Sequence, residues 1–273
     1  MNFWLKLNMF FRSFFLQTGW NFAKYQNLGF TFVMLPFLRK VYAQDREALP
    51  TVLQRYLDNF NTHPAMASFC FGALAKQEEM IIQAHSLTDY KEQVVEWQGI
   101  RRGVSITAAS IGDRLFWGTL KPLTLLLALF IWMLIGINFL ETASLPDVSL
   151  AAIFSGGIMA WILYNVVAQW VRWTGIGLSY TADNASCFGL TYFDWNRAIY
   201  QAKRLGMCFA IALVLLGIYH YFYQADFGDI KYRARAALVL LVIIFSFITH
   251  RLRIPNVYLY LVGVIIFNIV SFL

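Results

Sequence analysis

Charged residues are scarce in this chain. They make up 14% of its 273 residues, against roughly 25% in soluble domains, while hydrophobic residues make up 59%. This composition excludes an ordinary soluble domain. Cysteine is scarce too, and the chain has three: Cys70, Cys187 and Cys208. Their odd number argues against a disulfide framework, and their spacing does not match that of zinc ligands. We therefore expect buried free thiols.

Signatures of catalysis are also missing. The chain has four scattered histidines, and it has neither a base–nucleophile pattern nor a glycine-rich phosphate-binding loop. We therefore expect no catalytic residue, no cofactor and no metal. The beginning of the chain lacks the apolar core and cleavage site of a signal peptide. The net charge of +7 fits an anionic membrane leaflet better than nucleic acid, so membrane lipid is an expected partner and nucleic acid is not.

What the chain does contain is a series of long apolar runs. Four of them are long enough to cross about 30 Å of hydrocarbon as helices: residues 122–140, 148–171, 205–222 and 255–273. A fifth run, residues 236–249, is short for a span and needs its flanking basic residues to reach the interface. Residues 122–273 are thus predicted to form about five transmembrane helices of an all-α, polytopic membrane protein.

The distribution of Lys and Arg predicts the orientation of these spans. The loop at residues 141–147 has two acidic residues and no basic one, so it should lie outside. The stretch at residues 172–204 contains Arg172, Arg197, Lys203 and Arg204 and should face the cytoplasm. The basic residues at 231–235 conflict with this rule, since they fall in an outside loop.

Residues 1–18 are predicted to form an amphipathic helix. Its large apolar side chains, from Phe3 and Trp4 to Phe14 and Phe15, share one side, and polar side chains such as Lys6 line the other. Such a helix is typical of the membrane interface or of a contact with another subunit. Packing against the protein's own core is the alternative.

Residues 19–121 form a region of interrupted apolar stretches. Pro36, Pro64 and Gly103 break them, and none is a clean span of about 20 residues. The pattern predicts broken helices and re-entrant hairpins. Because transporters place substrates where helices are broken, this region should contain the substrate site.

Three segments of this region carry a family resemblance. They are GWNFAKYQNLGFTFVMLP at residues 19–36, followed by RKVY at 39–42; FNTHPAMASF at 60–69, whose helix closes with Glu78 and Glu79; and IGDRLFWGTLKP at 111–122. In order and spacing they resemble the motifs of the IID subunit of the mannose-family (mannose/fructose/sorbose) sugar phosphotransferase system. Weaker similarity continues through YNV at 164–166 and RWTG at 172–175, and covers nearly the whole chain.

The resemblance implies a multi-pass protein of the bacterial inner membrane that pairs with a IIC subunit. The pair would translocate a mannose-like hexose or a derivative, which a IIAB phosphocarrier component phosphorylates during uptake. The IID subunit itself would be a non-catalytic member of the complex without a phosphorylated residue. Since its own spans cannot enclose the broken helices, we expect an obligate heteromer.

The residues themselves indicate a polar ligand. Asp113 in an apolar helix needs a partner, with Arg114 and Lys121 nearest in sequence. Trp117 is suited to stack on a pyranose ring. Asn27, Asn61 and Thr119 are suited to exchange hydrogen bonds with sugar hydroxyls. Alternatively, Asp113 and Lys121 only hold a hairpin together.

The second motif has two further candidates, His63 and Glu78. Pro64 suits the first turn of a helix running to about Glu79, with Asn61 or Thr62 as its cap. His63 has a structural alternative as a hydrogen-bonding residue. Glu78 and Glu79 oppose the helix dipole unless Lys76 or another base pairs with them, which makes one of them a candidate for binding.

The chain also departs from the family pattern. Residues 107–111, TAASI, replace the GPLAG-type segment that usually precedes the Gly–Asp pair, here Gly112 and Asp113. Arg114 stands where the family usually has a small or apolar residue, and Ala168 stands where it often has arginine. The segment before the last spans is reduced to residues 223–235. A non-transporting scaffold or regulatory subunit of an incomplete system is therefore the alternative function. An unrelated secondary transporter is disfavoured, because the three motifs would have to coincide by chance.

Overall fold

The structure is a computed structural model that describes residues 1–134 and 150–224, all of whose main elements are helices. Eight α-helices follow one another: α1 Phe3–Arg12, α2 Asn27–Val41, α3 Leu49–Tyr56, α4 Ala67–Ile82, α5 Leu87–Gly112, α6 Lys121–Leu134, α7 Leu150–Thr181 and α8 Trp195–Gln224. Internal contacts divide the chain into two units, Met1–Leu213 and Val214–Leu273. Everything described below lies in the first unit, apart from the end of α8.

Three helices of the described residues are long and apolar enough to cross a membrane: Leu87–Leu134, Phe154–Thr181 and Trp195–Tyr219. They overlap the predicted spans at residues 122–140, 148–171 and 205–222. The two remaining predicted spans, at 236–249 and 255–273, and the predicted outside loop at 141–147 lie outside the described residues. The all-helical membrane fold is confirmed.

The first of these helices differs from the prediction. Leu87–Leu134 is one helix of 48 residues, about 72 Å at 1.5 Å per residue, more than twice the hydrocarbon thickness. The expected break at Gly103 and the expected hairpin at Asp113 are therefore wrong. One glycine costs a helix only about 1 kcal/mol, and Gly103 has no neighbouring atom within 4 Å of a Cβ placed there. A helix this long easily tolerates that cost.

The expected break at Pro36 is also wrong, because Pro36 lies inside α2. A proline costs a helix interior about 3 kcal/mol. Val33, Met34, Phe37 and Leu38 around it are all at most 1% exposed, and their burial outweighs the missing hydrogen bond. At Pro64, by contrast, the chain is indeed in a turn that precedes α4.

The core is built around α4, most of whose residues are buried. Small residues allow α4 and α7 to approach closely: a Cβ at Gly72 would collide with Ser179, and a Cβ at Gly175 would collide with Ser68. The Ser68 hydroxyl also donates to the carbonyl of Val171 at 3.3 Å. This crossing of small residues is a common way to pack membrane helices.

The N-terminal helix α1 is capped by Asn2, whose side chain accepts a hydrogen bond from the amide of Leu5 at 2.9 Å. Met9, Ser13 and Leu16 form the stripe that packs on the protein, each at most 1% exposed. The aromatic side faces outward, with Trp4 74% exposed. The N-terminal segment thus packs on the core through Met9, Ser13 and Leu16 and leaves aromatic side chains such as Trp4 exposed.

Candidate functional site

The first two motif segments are joined by the side chain of Gln26. Its Nε2 donates to the carbonyl of Thr62 at 2.9 Å, and its Oε1 accepts from the amide of Thr62 at 3.0 Å. Next to this pair, the amide of Phe60 donates to the carbonyl of Lys24, and the amide of Gln26 donates to the carbonyl of Phe60. The side chain of Gln26 therefore extends a short parallel bridge between Tyr25 and Phe60.

The second and third segments meet at Thr62 and His63. The Thr62 hydroxyl donates to the carbonyl of Ser105 in α5 at 3.0 Å. The His63 ring stacks on Phe116, with centroids 4.5 Å apart and planes 9° apart. Gly112 makes this possible, since a Cβ there would collide with the Cβ of His63. All three motif segments thus converge on residues 60–63.

His63 is buried at this junction, with 5% of its surface exposed. Its Nδ1 accepts a hydrogen bond from the amide of Ala65 at 3.3 Å. The expected capping by Asn61 or Thr62 is therefore wrong, because the Thr62 hydroxyl is engaged with α5 instead. Burial, together with the charge of Arg172, lowers the pKa of His63 to about 4, so the ring is neutral near pH 7.

The third motif adopts π-helical geometry between α5 and α6, from Asp113 to Leu120. The buried Thr119 hydroxyl donates to the carbonyl of Arg114 at 2.8 Å and so stabilises the wider turn. Segments of this kind occur frequently at functional sites. Thr119 therefore shapes the site and has no free hydroxyl hydrogen for a ligand.

The outer face of the π-helical segment presents Asp113, Trp117 and Lys121, all of them exposed. The Lys121 Nζ lies 4.3 Å above the Trp117 ring, which is 53% exposed. Among the described residues Asp113 makes no ion pair, so its expected pairing with Arg114 or Lys121 is wrong. The cation–π contact engages Lys121 and leaves the carboxylate free.

Two other predicted residues lie away from this face. Asn27 is buried, where its Nδ2 donates to the carbonyl of Leu57 at 2.7 Å and its Oδ1 accepts from Asn21. Asn61 is exposed beside the junction. The structure therefore brings Asn61 and His63 near the third motif, and gives Asn27 a bracing role between two loops.

Glu78 is fully buried in a separate polar network. Its carboxylate accepts from the hydroxyls of Tyr42 and Tyr56, each at 2.8 Å, and from Arg55 Nη2 at 2.6 Å. Burial raises the pKa of Glu78, and the Arg55 charge and the hydroxyl donors oppose that shift. Of the two expected possibilities, Lys76 or another base, the second is found for Glu78, and that base is Arg55. Glu79 instead accepts from the Tyr180 hydroxyl at 2.7 Å.

A second ion pair extends the network. Arg101 Nη2 donates to Asp58 at 2.8 Å, and the Trp97 ring lies 5.3 Å from the guanidinium carbons of both Arg55 and Arg101. The sequence reasoning missed these residues, although Tyr42 closes the first motif. Nothing in the local pattern marks Arg55, 23 positions before its partner, as buried.

The described residues contain no group of three His, Cys, Asp or Glu side chains that could hold a metal ion. Cys70 is buried, as expected of a free thiol, whereas Cys208 is exposed.

Comparison with known proteins decides the family. The model for the mannose/fructose/sorbose family IID component of the phosphotransferase system matches residues 6–218. This chain belongs to that family. The mannose-specific IID component of Escherichia coli K12 is 30% identical over 173 residues, which are 63% of this chain and 53% of that protein. The fructose permease IID component of Bacillus subtilis is 37% identical over 118 residues, which are 42% of this chain and 40% of that protein. The chain thus spans about half the length, or less, of these relatives.

Solved structures agree with the fold. A chain described only as a membrane protein superposes with a TM-score of 0.60 and 28% identity, over 78% of this chain and 70% of its own. A chain from the mannose transporter ManYZ in complex with a microcin superposes with a TM-score of 0.53 over all of this chain and 96% of its own. At 22% identity the second match supports the fold alone.

Proposed function

We propose that this chain is the IID membrane subunit of a sugar permease. It pairs with a IIC-type subunit in the bacterial inner membrane to translocate a hexose-type sugar, which a IIAB component phosphorylates during uptake. The observation that carries the proposal is the convergence of all three family motifs on residues 60–63, next to the exposed face that presents Asp113 and Trp117. With the apolar runs at residues 236–249 and 255–273, the chain has five spans, and α1 lies in the interface.

The unpaired charge of the junction supports a partner subunit. Asp113 and Trp117 lie on the outer face of a helix that is otherwise suited to a membrane. Lipid cannot satisfy a carboxylate, so the face needs water, a ligand or a neighbouring protein chain. A IIC subunit that covers this face supplies the rest of a closed sugar site.

Each residue of the junction then has a distinct role. The Trp117 ring, held by Lys121, stacks on the pyranose, and Asp113 and Asn61 exchange hydrogen bonds with its hydroxyls. His63 and Thr119 position this face, because His63 stacks on Phe116 next to Trp117. Glu78 acts at a distance by fixing α4 to α3.

Co-purification with a candidate IIC subunit, followed by equilibrium sugar binding, tests the proposal. Trp117→Ala should weaken sugar binding about tenfold, equivalent to about 1.4 kcal/mol, while the complex still forms. Trp161, also exposed but on α7, gives the matched control, and Trp161→Ala should bind sugar normally.

Equal affinity in the wild type and in the Trp117→Ala variant would contradict the proposed stacking. A stable complex that binds no sugar at all would favour the alternative, a scaffold or regulatory subunit. A monodisperse monomer that binds sugar alone would contradict the need for IIC.

A further inference from the structure

Arg172 in α7 is a buried cation without an acidic partner in the part of the chain that the structure describes. Arg172 is 8% exposed. Among the described residues its buried Nε has no hydrogen-bond partner and its guanidinium forms no ion pair. Its guanidinium carbon lies 4.5 Å above the ring of Phe14. An aromatic ring compensates only part of the cost of burying a cation, so the arrangement calls for an anion.

The position of Arg172 along α7 indicates where that anion is found. Arg172 follows Leu150, the first residue of α7, by 22 positions, which is about 33 Å along a helix. That distance is close to the full hydrocarbon thickness of about 30 Å. Trp170 and Trp173 flank Arg172, as is typical of residues at the headgroup level.

A second cation lies on the residue that follows Arg172 in α7. The Lys6 Nζ lies 4.2 Å above the Trp173 ring, and Phe3 and Phe10 of α1 contact the same ring edge-on at 5.9 and 5.5 Å. Among the described residues Lys6 also forms no ion pair. Two cations on ring faces therefore border the contact between the N-terminal segment, residues 1–16, and α7.

The surrounding surface suits a lipid better than an acidic protein. Residues 1–44 contain five Lys and Arg residues and no Asp or Glu. The outward face of α1 is apolar and aromatic, with Trp4 74% and Phe11 58% exposed. Phe14, which covers Arg172, is itself 46% exposed, so only one ring separates the guanidinium from the surroundings. An apolar face next to unpaired cations matches acyl chains next to a phosphate.

We propose that the contact between the N-terminal segment, residues 1–16, and α7 is a binding site for an anionic phospholipid, with Arg172 as the main phosphate ligand and Lys6 as a second. The lipid phosphate supplies the negative charge that the described residues do not place beside Arg172. Arg172 lies close enough to the junction for its charge to act on His63, but the proposed ligand is a lipid phosphate rather than a sugar, and its binding is measured without sugar.

Lipid retention by the purified protein tests this site. The full chain with its IIC partner is placed in nanodiscs of phosphatidylcholine, with or without phosphatidylglycerol, and the lipids that remain bound after extraction are counted by native mass spectrometry. The wild type should retain phosphatidylglycerol selectively. Arg172→Met should lower that retention about tenfold, because charge-assisted hydrogen bonds to the phosphate are lost. Arg102→Met, at an exposed arginine of α5, should retain phosphatidylglycerol like the wild type.

Three results would overturn the proposal. One is equal retention of phosphatidylglycerol by Arg172→Met and wild type. Another is that Arg172→Met no longer assembles with IIC but retains phosphatidylglycerol like the wild type. The anion that pairs with Arg172 would then be a carboxylate of the IIC subunit. The third is that inorganic phosphate stabilises the wild type in phosphatidylcholine as strongly as phosphatidylglycerol does. The anion that pairs with Arg172 would then be a soluble phosphate. If Arg172→Met does not fold, the wild type decides alone, since no preference for phosphatidylglycerol would also refute the site.

Discussion

Replacing Glu78 by Gln tests how the helices around the sugar junction are held together. The Glu78 carboxylate is fully buried and accepts from Arg55, Tyr42 and Tyr56 at 2.6–2.8 Å. Glutamine has nearly the same shape but no charge, and its amide nitrogen cannot accept a hydrogen bond. The change leaves the Arg55 guanidinium, whose Nε already lacks a partner, unpaired in the interior.

Breaking a buried ion pair on one side costs about 3–5 kcal/mol. The free energy of unfolding of Glu78→Gln should fall by that amount, and the reverse change, Arg55→Met, should cost a similar amount. In the double variant no charge remains unpaired. Its loss should therefore be smaller than the sum of the two single losses by at least about 2 kcal/mol.

The assay is thermal unfolding of the purified complex, followed by tryptophan fluorescence. Glu78→Gln should lower the midpoint by on the order of 10 °C. Glu92→Gln, at an exposed position of α5, serves as the control and should unfold like the wild type. A Glu78→Gln variant within about 1 kcal/mol of the wild type, or a double variant whose losses simply add, would refute an ionised, coupled pair.

Three further predictions concern the junction and the topology. Folding lowers the pKa of His63 from 6.5 to about 4, so as the pH falls His63 is protonated in the unfolded chain before it is protonated in the folded one. Up to about 3 kcal/mol of stability that is present above pH 6.5 is therefore lost as the pH falls to 4. His63→Gln should flatten this part of the curve of stability against pH, and an unchanged slope would be contrary to the proposal. Gly112→Ala should cost about 1–3 kcal/mol in the same unfolding assay through its collision with His63, whereas Gly103→Ala, in open space, should stabilise by a few tenths to about 1 kcal/mol; equal effects would disprove the close approach. In a background without other cysteines, a periplasmic thiol reagent should label Ser144→Cys and not Asp194→Cys, and the opposite pattern would reverse the predicted orientation.

The sequence was informative where local chemistry decides the structure. Apolar runs predicted the three described spans, and the motifs marked segments that meet at residues 60–63. Local rules failed where packing decided the outcome, as at Pro36, where the burial of four neighbours outweighs a helix breaker. They also failed at Asp113, where the chain continues from α5 into α6 through a π-helical segment and does not turn back as a hairpin.

The buried charges could not be predicted, for a related reason. Glu78 was a candidate, but its pairing with Arg55 arises only when α3 packs beside α4. The burial of Arg172 depends in the same way on the packing of the N-terminal segment against α7. The periodicity of apolar residues along one helix does not predict which distant element packs against that helix.

Equilibrium sugar binding to the co-purified pair of this chain and a IIC-type subunit, with Asp113→Asn beside the wild type, tests the central claim most directly. Asp113 is exposed and makes no ion pair among the described residues, so Asp113→Asn should leave the yield of the complex unchanged. If Asp113 accepts hydrogen bonds from sugar hydroxyls, the variant should bind the sugar about tenfold more weakly. A normal yield with unchanged affinity would contradict the sugar site at the junction of the three motifs.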